Sequence, residues 1–117
     1  MKQDYLQMRV LELAPQVYVC GQLFETDMQL LAKQKVRTVV NNRFDDESTG
    51  QPTSADLAKA AEEYGISFVH FPVDAISITD EELKSFAAIA DDLERPLFLF
   101  SRSGKRSIKL WEKAELL

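Results

Sequence analysis

The sequence predicts a single α/β domain over residues 1–117, with a mostly parallel sheet of four to five strands and helices on both faces. Two observations lead to this fold class. Short β-branched or apolar segments alternate with helical patterns along the chain, which is typical of parallel sheets built from strand–helix–strand units. In addition, Leu97–Phe100 is an unbroken apolar run, as expected for a strand covered on both faces.

Five strands are predicted, and each is bounded by turn residues. The first ends before a turn at Ala14-Pro15-Gln16, and the fourth is closed by Pro72. The third is rich in β-branched residues, which favours a strand over a helix. The predicted ranges are 8–13, 17–20, 36–41, 66–71 and 97–100.

Four helices are predicted from their capping residues and apolar spacing. Thr26 is expected to cap the first, with Gln29 as its reciprocal partner, and Thr53 or Ser54 to cap the second, which Gly65 ends. Thr79 to Glu82 forms a capping-box pattern for the third helix, which runs to about Leu93. The fourth begins at Arg106, with Ile108, Leu110 and Trp111 as apolar positions.

Composition limits the possible functions. The chain of 117 residues has a net charge of −5, which disfavours nonspecific binding to nucleic acid or to an anionic membrane. No segment has the length of a membrane span or the pattern of a signal peptide. One cysteine, Cys20, excludes an internal disulfide and favours a cytoplasmic protein, and a single histidine makes a zinc site unexpected. The residues call for no cofactor.

The segment after the last strand predicts an anion site. Ser101-Arg-Ser-Gly-Lys-Arg-Ser107 joins a buried strand to a helix start and places three cations within five residues. Unpartnered N–H groups at a helix start attract anions, and glycine lets the main chain approach a ligand. Arg106 can add a bidentate clamp. We therefore expect a phosphate, a sulfate or a similar group to bind the following residues: Arg102, Ser103, Gly104, Lys105, Arg106 and Ser107.

Further candidates follow from the rule that ligands bind outside the carboxyl ends of parallel strands. Asn42, Arg43 and Asp45 lie in a long polar loop, 42–52, whose length suggests a binding loop. Cys20 ends a neighbouring strand and is expected to be a buried small residue without a chemical role. His70 is expected to be packed or hydrogen-bonded within its strand.

The 101–107 loop resembles the Cys-Arg-Ser-Gly-x-Arg-Ser loop of a bacterial family of phosphatase-like domains, described as beta-lactamase hydrolase-like protein, phosphatase-like. The resemblance extends over nearly the whole chain and includes five further segments: Val19-Cys-Gly-Gln22, Val39-Val-Asn-Asn-Arg43, Gly50-Gln-Pro52, Val69-His-Phe-Pro-Val73 and Ile78-Thr-Asp80. It implies an architecture like that of dual-specificity and other protein tyrosine phosphatases. It also implies that Asp74 is a possible general acid, with a solvated loop carboxylate as the alternative.

Ser101 stands where the resembled family has its nucleophilic cysteine. A cysteine can become a thiolate near neutral pH, whereas a serine hydroxyl needs an adjacent base. The chain as written is therefore expected not to react by the cysteine mechanism. The serine is compatible with an engineered substitution that traps a ligand and with a natural protein that has abandoned the cysteine route.

Three functions are compatible with this loop. The first is a phosphatase-like hydrolase domain that binds a small oxyanion or phosphorylated substrate and has lost its nucleophile. The second is a rhodanese-like sulfurtransferase in a cysteine-bearing form, because four residues separate Ser101 from Arg106, as in rhodaneses, whereas tyrosine phosphatases have five. The third is a non-catalytic module that binds an oxyanion or a phosphoprotein. The oligomeric state is not predicted.

Overall fold

A computed structural model describes residues 9–117 and contains one five-stranded sheet in the order β1-β2-β5-β3-β4. The strands are β1 Leu11–Ala14, β2 Val17–Cys20, β3 Thr38–Asn41, β4 Ser67–His70 and β5 Leu97–Phe100. The helices are α1 Asp27–Lys33, α2 Ser54–Glu63, α3 Asp80–Ala90 and α4 Lys105–Glu115. No helix in residues 9–117 has both the length and the apolar character needed to cross a membrane.

The sheet is parallel except at one edge. β5 lies at its centre, pairing in parallel with β2 on one side and β3 on the other, and β4 pairs in parallel with β3. β1 pairs antiparallel with β2, with a register shift between Glu12 and Ala14. The predicted fold class, an α/β domain with a mostly parallel sheet, is therefore confirmed.

The strand side chains alternate between two cores, which is why helices cover both faces. Phe98 and Phe100 of β5 belong to the core that includes buried residues of α1 and α2. Leu97 and Leu99 point to the other core, which contains Phe86 of α3 and Trp111 of α4, as expected for these two aromatic residues. Because all four side chains of β5 are buried, the loop that follows it begins inside the protein.

Two helix starts have the predicted caps and one does not. Thr79 and Glu82 form the complete capping box of α3, and the Thr53 hydroxyl accepts a hydrogen bond from Asp56 N. The Thr26 prediction is wrong, because Thr26 has a helical backbone and its side chain makes no capping bond. The Asp27 carboxylate instead accepts a hydrogen bond from Phe24 N at 2.7 Å.

Several element boundaries differ from the predicted ones. β1 continues through Ala14, because Gln16 adopts a φ of 62° and confines the turn to Pro15 and Gln16; the predicted start at Met8 lies outside the described residues. α3 ends at Ala90 rather than Leu93, where the Arg95 guanidinium donates to the carbonyl oxygens of both residues. α4 begins at Lys105, one residue before Arg106.

Candidate active site

The carboxyl ends of the four parallel strands gather their loops at one edge of the sheet. β2, β3, β4 and β5 end at Cys20, Asn41, His70 and Phe100, and their register places these ends side by side. The loop that joins β5 to α4 starts at Ser101 and is central in this arrangement. The observed strand order agrees with the sequence prediction that these loops lie around the candidate anion loop.

Ser101 is buried at the centre of the loop, with only 1% of its surface exposed. Its Oγ accepts hydrogen bonds from Gly104 N at 3.1 Å and from Ser107 N at 3.4 Å. The N–H groups at the start of α4 thus converge on the side-chain oxygen at position 101. Such converging donors stabilise negative charge on the atom at their focus.

Gly104 is required by the path of the loop. It has a φ of 95°, in the left-handed region, and a side-chain Cβ there would lie 3.2 Å from the Cys20 carbonyl oxygen. Gln22 N also donates to the Arg102 carbonyl oxygen at 3.3 Å, which attaches the loop to the segment after β2. The end of β2 therefore fixes the loop from one side.

Asn42 fixes the loop from the other side. Its Oδ1 accepts a hydrogen bond from Ser107 Oγ at 2.7 Å, and its Nδ2 donates to the Phe71 carbonyl oxygen at 2.8 Å. Its backbone N–H donates to the Phe100 carbonyl oxygen at 3.0 Å. A single buried amide side chain thus connects the segments after β3 and β4 with the first turn of α4.

Arg106 extends from that first turn into a nearly closed environment, and 10% of its side chain is exposed. Nη1 donates to Glu47 Oε2 at 2.8 Å and contacts the carbonyl oxygens of Asn42 at 3.1 Å and Val73 at 3.2 Å. Nη2 donates to Glu47 Oε1 at 3.0 Å. The Nε atom is buried and has no hydrogen-bond partner in residues 9–117. One edge of the guanidinium is thus held by the protein, and the edge that contains Nε retains a free donor.

Glu47 is the site residue that the sequence analysis missed. It accepts hydrogen bonds from Arg106, Arg43 Nε and Phe44 N. The Arg106 hydrogen bond is the largest cause that lowers the pKa of Glu47 from 4.5 to about 2, and the Arg43 hydrogen bond adds to it against the opposing effect of burial. The Arg43–Glu47 spacing of four residues was the one sequence signal available, and it does not reveal the contact with Arg106.

Arg43 is almost fully buried, with 4% of its side chain exposed. All three of its side-chain nitrogens have partners: Nε binds Glu47, Nη1 donates to Gln22 Oε1 at 2.5 Å, and Nη2 donates to Ser48 Oγ at 2.9 Å. Its carbonyl oxygen contacts His70 Nε2 at 2.6 Å, so the expected hydrogen-bonded histidine is confirmed. Arg43 therefore positions Glu47 and the 42–52 loop.

The remaining candidates lie at the edge of this network. Asp45 accepts a hydrogen bond from Ser54 N at 2.9 Å, which places its carboxylate at the start of α2. Arg102, Ser103 and Lys105 are exposed, and Lys105 N donates weakly to Ser103 Oγ at 3.5 Å. Their part in anion binding stays a prediction.

Asp74 is exposed in the loop after β4. Its Oδ1 accepts hydrogen bonds from Ile76 N at 2.7 Å and Ser77 N at 3.2 Å. These two bonds, Ile76 first, lower the pKa of its carboxyl group, and the charge of Arg106 adds to the effect. A lowered pKa favours the ionised form, whereas a general acid must begin protonated. The role of Asp74 as an acid stays a prediction.

Cys20 is buried at the end of β2, and burial raises the pKa of its thiol to about 12. The thiol is therefore neutral at physiological pH, which fits the expected small packed residue. Residues 9–117 contain no group of three or more histidine, cysteine, aspartate or glutamate residues that could hold a metal ion.

Comparison with protein families shows to which family the chain belongs. The model of the family described as beta-lactamase hydrolase-like protein, phosphatase-like domain, matches residues 8–116. The chain belongs to this family. A curated relative of this phosphatase-like domain, the beta-lactamase hydrolase-like protein of Agrobacterium fabrum, is 26% identical over 94% of the chain. The domain spans about a quarter of that relative's length, because the match covers 26% of it.

Solved structures support the same class. The phosphatase-like domain is 30% identical to a candidate phosphatase from Neisseria meningitidis, with a TM-score of 0.75 over 81% of this chain and 68% of that one. A cysteine-to-serine variant of Pseudomonas aeruginosa TpbA in complex with phosphotyrosine has the same fold, with 19% identity and a TM-score of 0.64 over 89% of this chain and 59% of that one. These matches do not favour the sulfurtransferase and binding-module alternatives.

Proposed function

We propose that this phosphatase-like domain binds the oxyanion of a phosphate monoester in its Ser101–Ser107 loop and does not hydrolyse it by the cysteine mechanism. Arg106 is the main side-chain ligand, and the N–H groups at the start of α4 complete the anion site. Ser101 occupies the nucleophile position without supplying a thiolate.

The buried Nε of Arg106 is the observation that carries the proposal. A buried donor without a partner costs about 1–3 kcal/mol, and the cost is larger for a charged group. The remaining guanidinium nitrogens are fixed by Glu47 and by the carbonyl oxygens of Asn42 and Val73. A phosphoryl oxygen next to Nε would satisfy this donor and form a charge-assisted hydrogen bond.

The surroundings of Ser101 support binding without turnover. Its Oγ accepts two backbone hydrogen bonds, and no basic side chain among residues 9–117 is hydrogen-bonded to it. The one histidine, His70, contacts the Arg43 carbonyl oxygen instead. Without a base, the hydroxyl remains protonated and is a weak nucleophile. The phosphotyrosine complex of the TpbA variant is consistent with a serine-bearing protein of this fold that retains a ligand.

Binding can be tested by calorimetry with phenyl phosphate and tungstate. We expect Arg106→Ala and Arg106→Lys to weaken binding by about 10- to 100-fold, since both substitutions remove the Nε donor that the proposal assigns to the anion. Lys113→Ala is the matched control: it removes an exposed cation from the last turn of the same helix and should change affinity by less than about threefold. The proposal would be refuted if the control substitution weakened binding as much as the Arg106 substitutions do, or if the unsubstituted protein bound neither ligand.

Turnover can be tested with a Ser101→Cys variant and p-nitrophenyl phosphate. The converging N–H groups should lower the pKa of a thiol at position 101 and allow phosphatase activity that the unsubstituted chain lacks. Ser103→Cys is the control, because position 103 is exposed in the same loop. Thiosulfate with cyanide as acceptor provides the alternative assay, and gain of sulfur transfer in place of phosphatase activity would overturn the phosphatase assignment.

A further inference from the structure

We infer that a cavity between α3 and α4 binds a small carboxylate with an apolar body. This cavity, named here the α3–α4 cavity, lies at the amino edge of the sheet, whereas the Ser101–Ser107 loop lies at the carboxyl edge. The inference concerns a second site and goes beyond the proposed function. It depends on two side chains that line the cavity and have unused hydrogen-bond donors, Trp111 and Arg95.

The α3–α4 cavity has a volume of about 470 Å³, which is within the range of small-molecule sites in proteins. Its walls come from the carboxyl-terminal halves of α3 and α4 and from the segment that joins β1 to β2. Small side chains leave this space between the helices, because Ala87 and Ala90 line it from α3 and Ala114 from α4. Val17 begins β2 and Arg95 precedes β5, so their presence in the lining places the cavity opposite the anion loop.

Trp111 belongs to the wall of the cavity and is 6% exposed. Its Nε1 atom is buried and has no hydrogen-bond partner among residues 9–117. Its ring stands edge-to-face with that of Phe86, which also lines the cavity, and 6.2 Å separate the two ring centroids. A buried tryptophan N–H usually has an acceptor, and an unpaired one is unfavourable. An oxygen atom of a ligand in this cavity would supply the acceptor.

Arg95 provides further donors at the same cavity. Its Nη1 donates to the carbonyl oxygens of Ala90 at 2.7 Å and Leu93 at 2.5 Å, so the end of α3 holds the guanidinium in place. In the part of the chain that the structure describes, its Nε and Nη2 make no hydrogen bond and no carboxylate pairs with it. A half-buried, fixed guanidinium with free donors suits a carboxylate, whose two oxygens match its planar geometry.

The other lining residues restrict the charge and the shape of the ligand. Asp91 and Glu115 also line the cavity, and both are exposed. Their negative charges repel a doubly charged phosphate more strongly than a singly charged carboxylate, and water screens them more than it screens the half-buried Arg95. The alanines, Val17 and the two rings offer an apolar surface to the rest of the ligand. An aryl or branched alkyl carboxylate therefore fits this cavity better than a phosphate or a sugar.

Tryptophan fluorescence provides a direct assay, because Trp111 is the only tryptophan of the chain. Phenylacetate, phenethyl alcohol and phenethylamine share an aromatic body and differ in the charge of their polar end. We expect phenylacetate to change the fluorescence and to bind about tenfold more tightly than the other two, since only its carboxylate forms charge-assisted hydrogen bonds with Arg95. Arg106→Ala should leave this affinity unchanged, because Arg106 does not line the cavity.

Two pairs of variants test the lining. Ala87→Leu fills the cavity without removing a polar group and should weaken phenylacetate binding more than about tenfold. Ala88→Leu is its matched control, because Ala88 is exposed on the same helix and does not line the cavity. Arg95→Gln should weaken phenylacetate about tenfold with phenethyl alcohol unchanged, whereas Arg37→Gln, which alters an exposed arginine outside the lining, should change neither. Thermal unfolding checks that each variant is folded, and if Arg95→Gln is not, the Ala87→Leu pair decides.

The outcomes separate this inference from the proposed function. It would be overturned if phenylacetate did not bind or bound no more tightly than phenethylamine, or if Ala88→Leu weakened binding as much as Ala87→Leu. Loss of phenylacetate binding in Arg106→Ala would place the carboxylate in the anion loop and would also overturn it. If the unsubstituted protein bound phenylacetate but not phenyl phosphate, only the proposed function would be wrong.

Discussion

Glu47 holds two nearly buried arginines, and its replacement provides a direct test of the site. Glu47→Gln keeps the size of the side chain and removes its charge. Arg43 and Arg106, with 4% and 10% of their side chains exposed, would then lose their shared carboxylate partner. Removing one partner of a buried ion pair is costly because the remaining charge has little water to replace it.

The pKa of Glu47 gives the size of the expected effect. A pKa of about 2 in place of 4.5 corresponds to about 3 kcal/mol of preference for the charged form. Because 22% of the side chain is exposed, solvent screening reduces this value. Glutamine also retains one acceptor oxygen. We therefore expect Glu47→Gln to lower the free energy of unfolding by about 2 kcal/mol.

Urea unfolding at pH 7 measures this loss, provided that the slope with denaturant is unchanged. Glu94→Gln is the matched control, because Glu94 binds Arg37 at 3.1 Å with both side chains more than half exposed. It should cost less than about 0.5 kcal/mol. If Glu47→Gln costs no more than Glu94→Gln, the claim that Glu47 organises Arg43 and Arg106 is refuted.

Three further predictions follow from the same site. Because the pKa of Glu47 is lower in the folded chain than in the unfolded chain, its contribution to stability is present above pH 4.5 and is lost as the pH falls towards 2. The free energy of unfolding measured in urea should therefore rise with pH across this range, and Glu47→Gln should make that rise smaller. Gly104→Ala should lower the free energy of unfolding by about 2 kcal/mol, and by more than Gly65→Ala does. Both glycines have a positive φ, but only Gly104 lies against another backbone segment, so equal losses of stability in the two variants would contradict this reasoning. In the Ser101→Cys background, Asp74→Asn should lower kcat for phenyl phosphate about 10- to 100-fold if Asp74 is the acid, and an unchanged kcat would exclude that role.

Local patterns were sufficient where one segment determines its own conformation. The capping box of α3, the buried run of β5 and the apolar positions of α4 were predicted because the relevant contacts are either within the element or follow from its periodicity. Boundaries were less accurate where a distant or irregular group ends an element. Arg95 caps the carbonyl oxygens at the end of α3, and the positive φ of Gln16 extends β1, and neither effect has a clear pattern in the sequence.

The candidate site also contains a part that local sequence predicted and a part that only the tertiary structure shows. Ser101, Gly104, Arg106 and the start of α4 lie within six residues, so their order along the chain alone placed an anion loop after a central strand. The family resemblance was carried by this loop and by five further segments along the chain, and it was confirmed by the match to residues 8–116.

Tertiary structure alone decided what Arg106 contacts. Glu47 is 59 residues away in the chain, Asn42 is 64 and Val73 is 33, and all three meet the guanidinium because β3, β4 and β5 end at one edge of the sheet. A sequence determines which charges exist and which lie close along the chain. Which carboxylate binds Arg106, and which donor is left for a ligand, depends on loops brought together by strand order, since side-chain hydrogen bonds act only over about 3 Å.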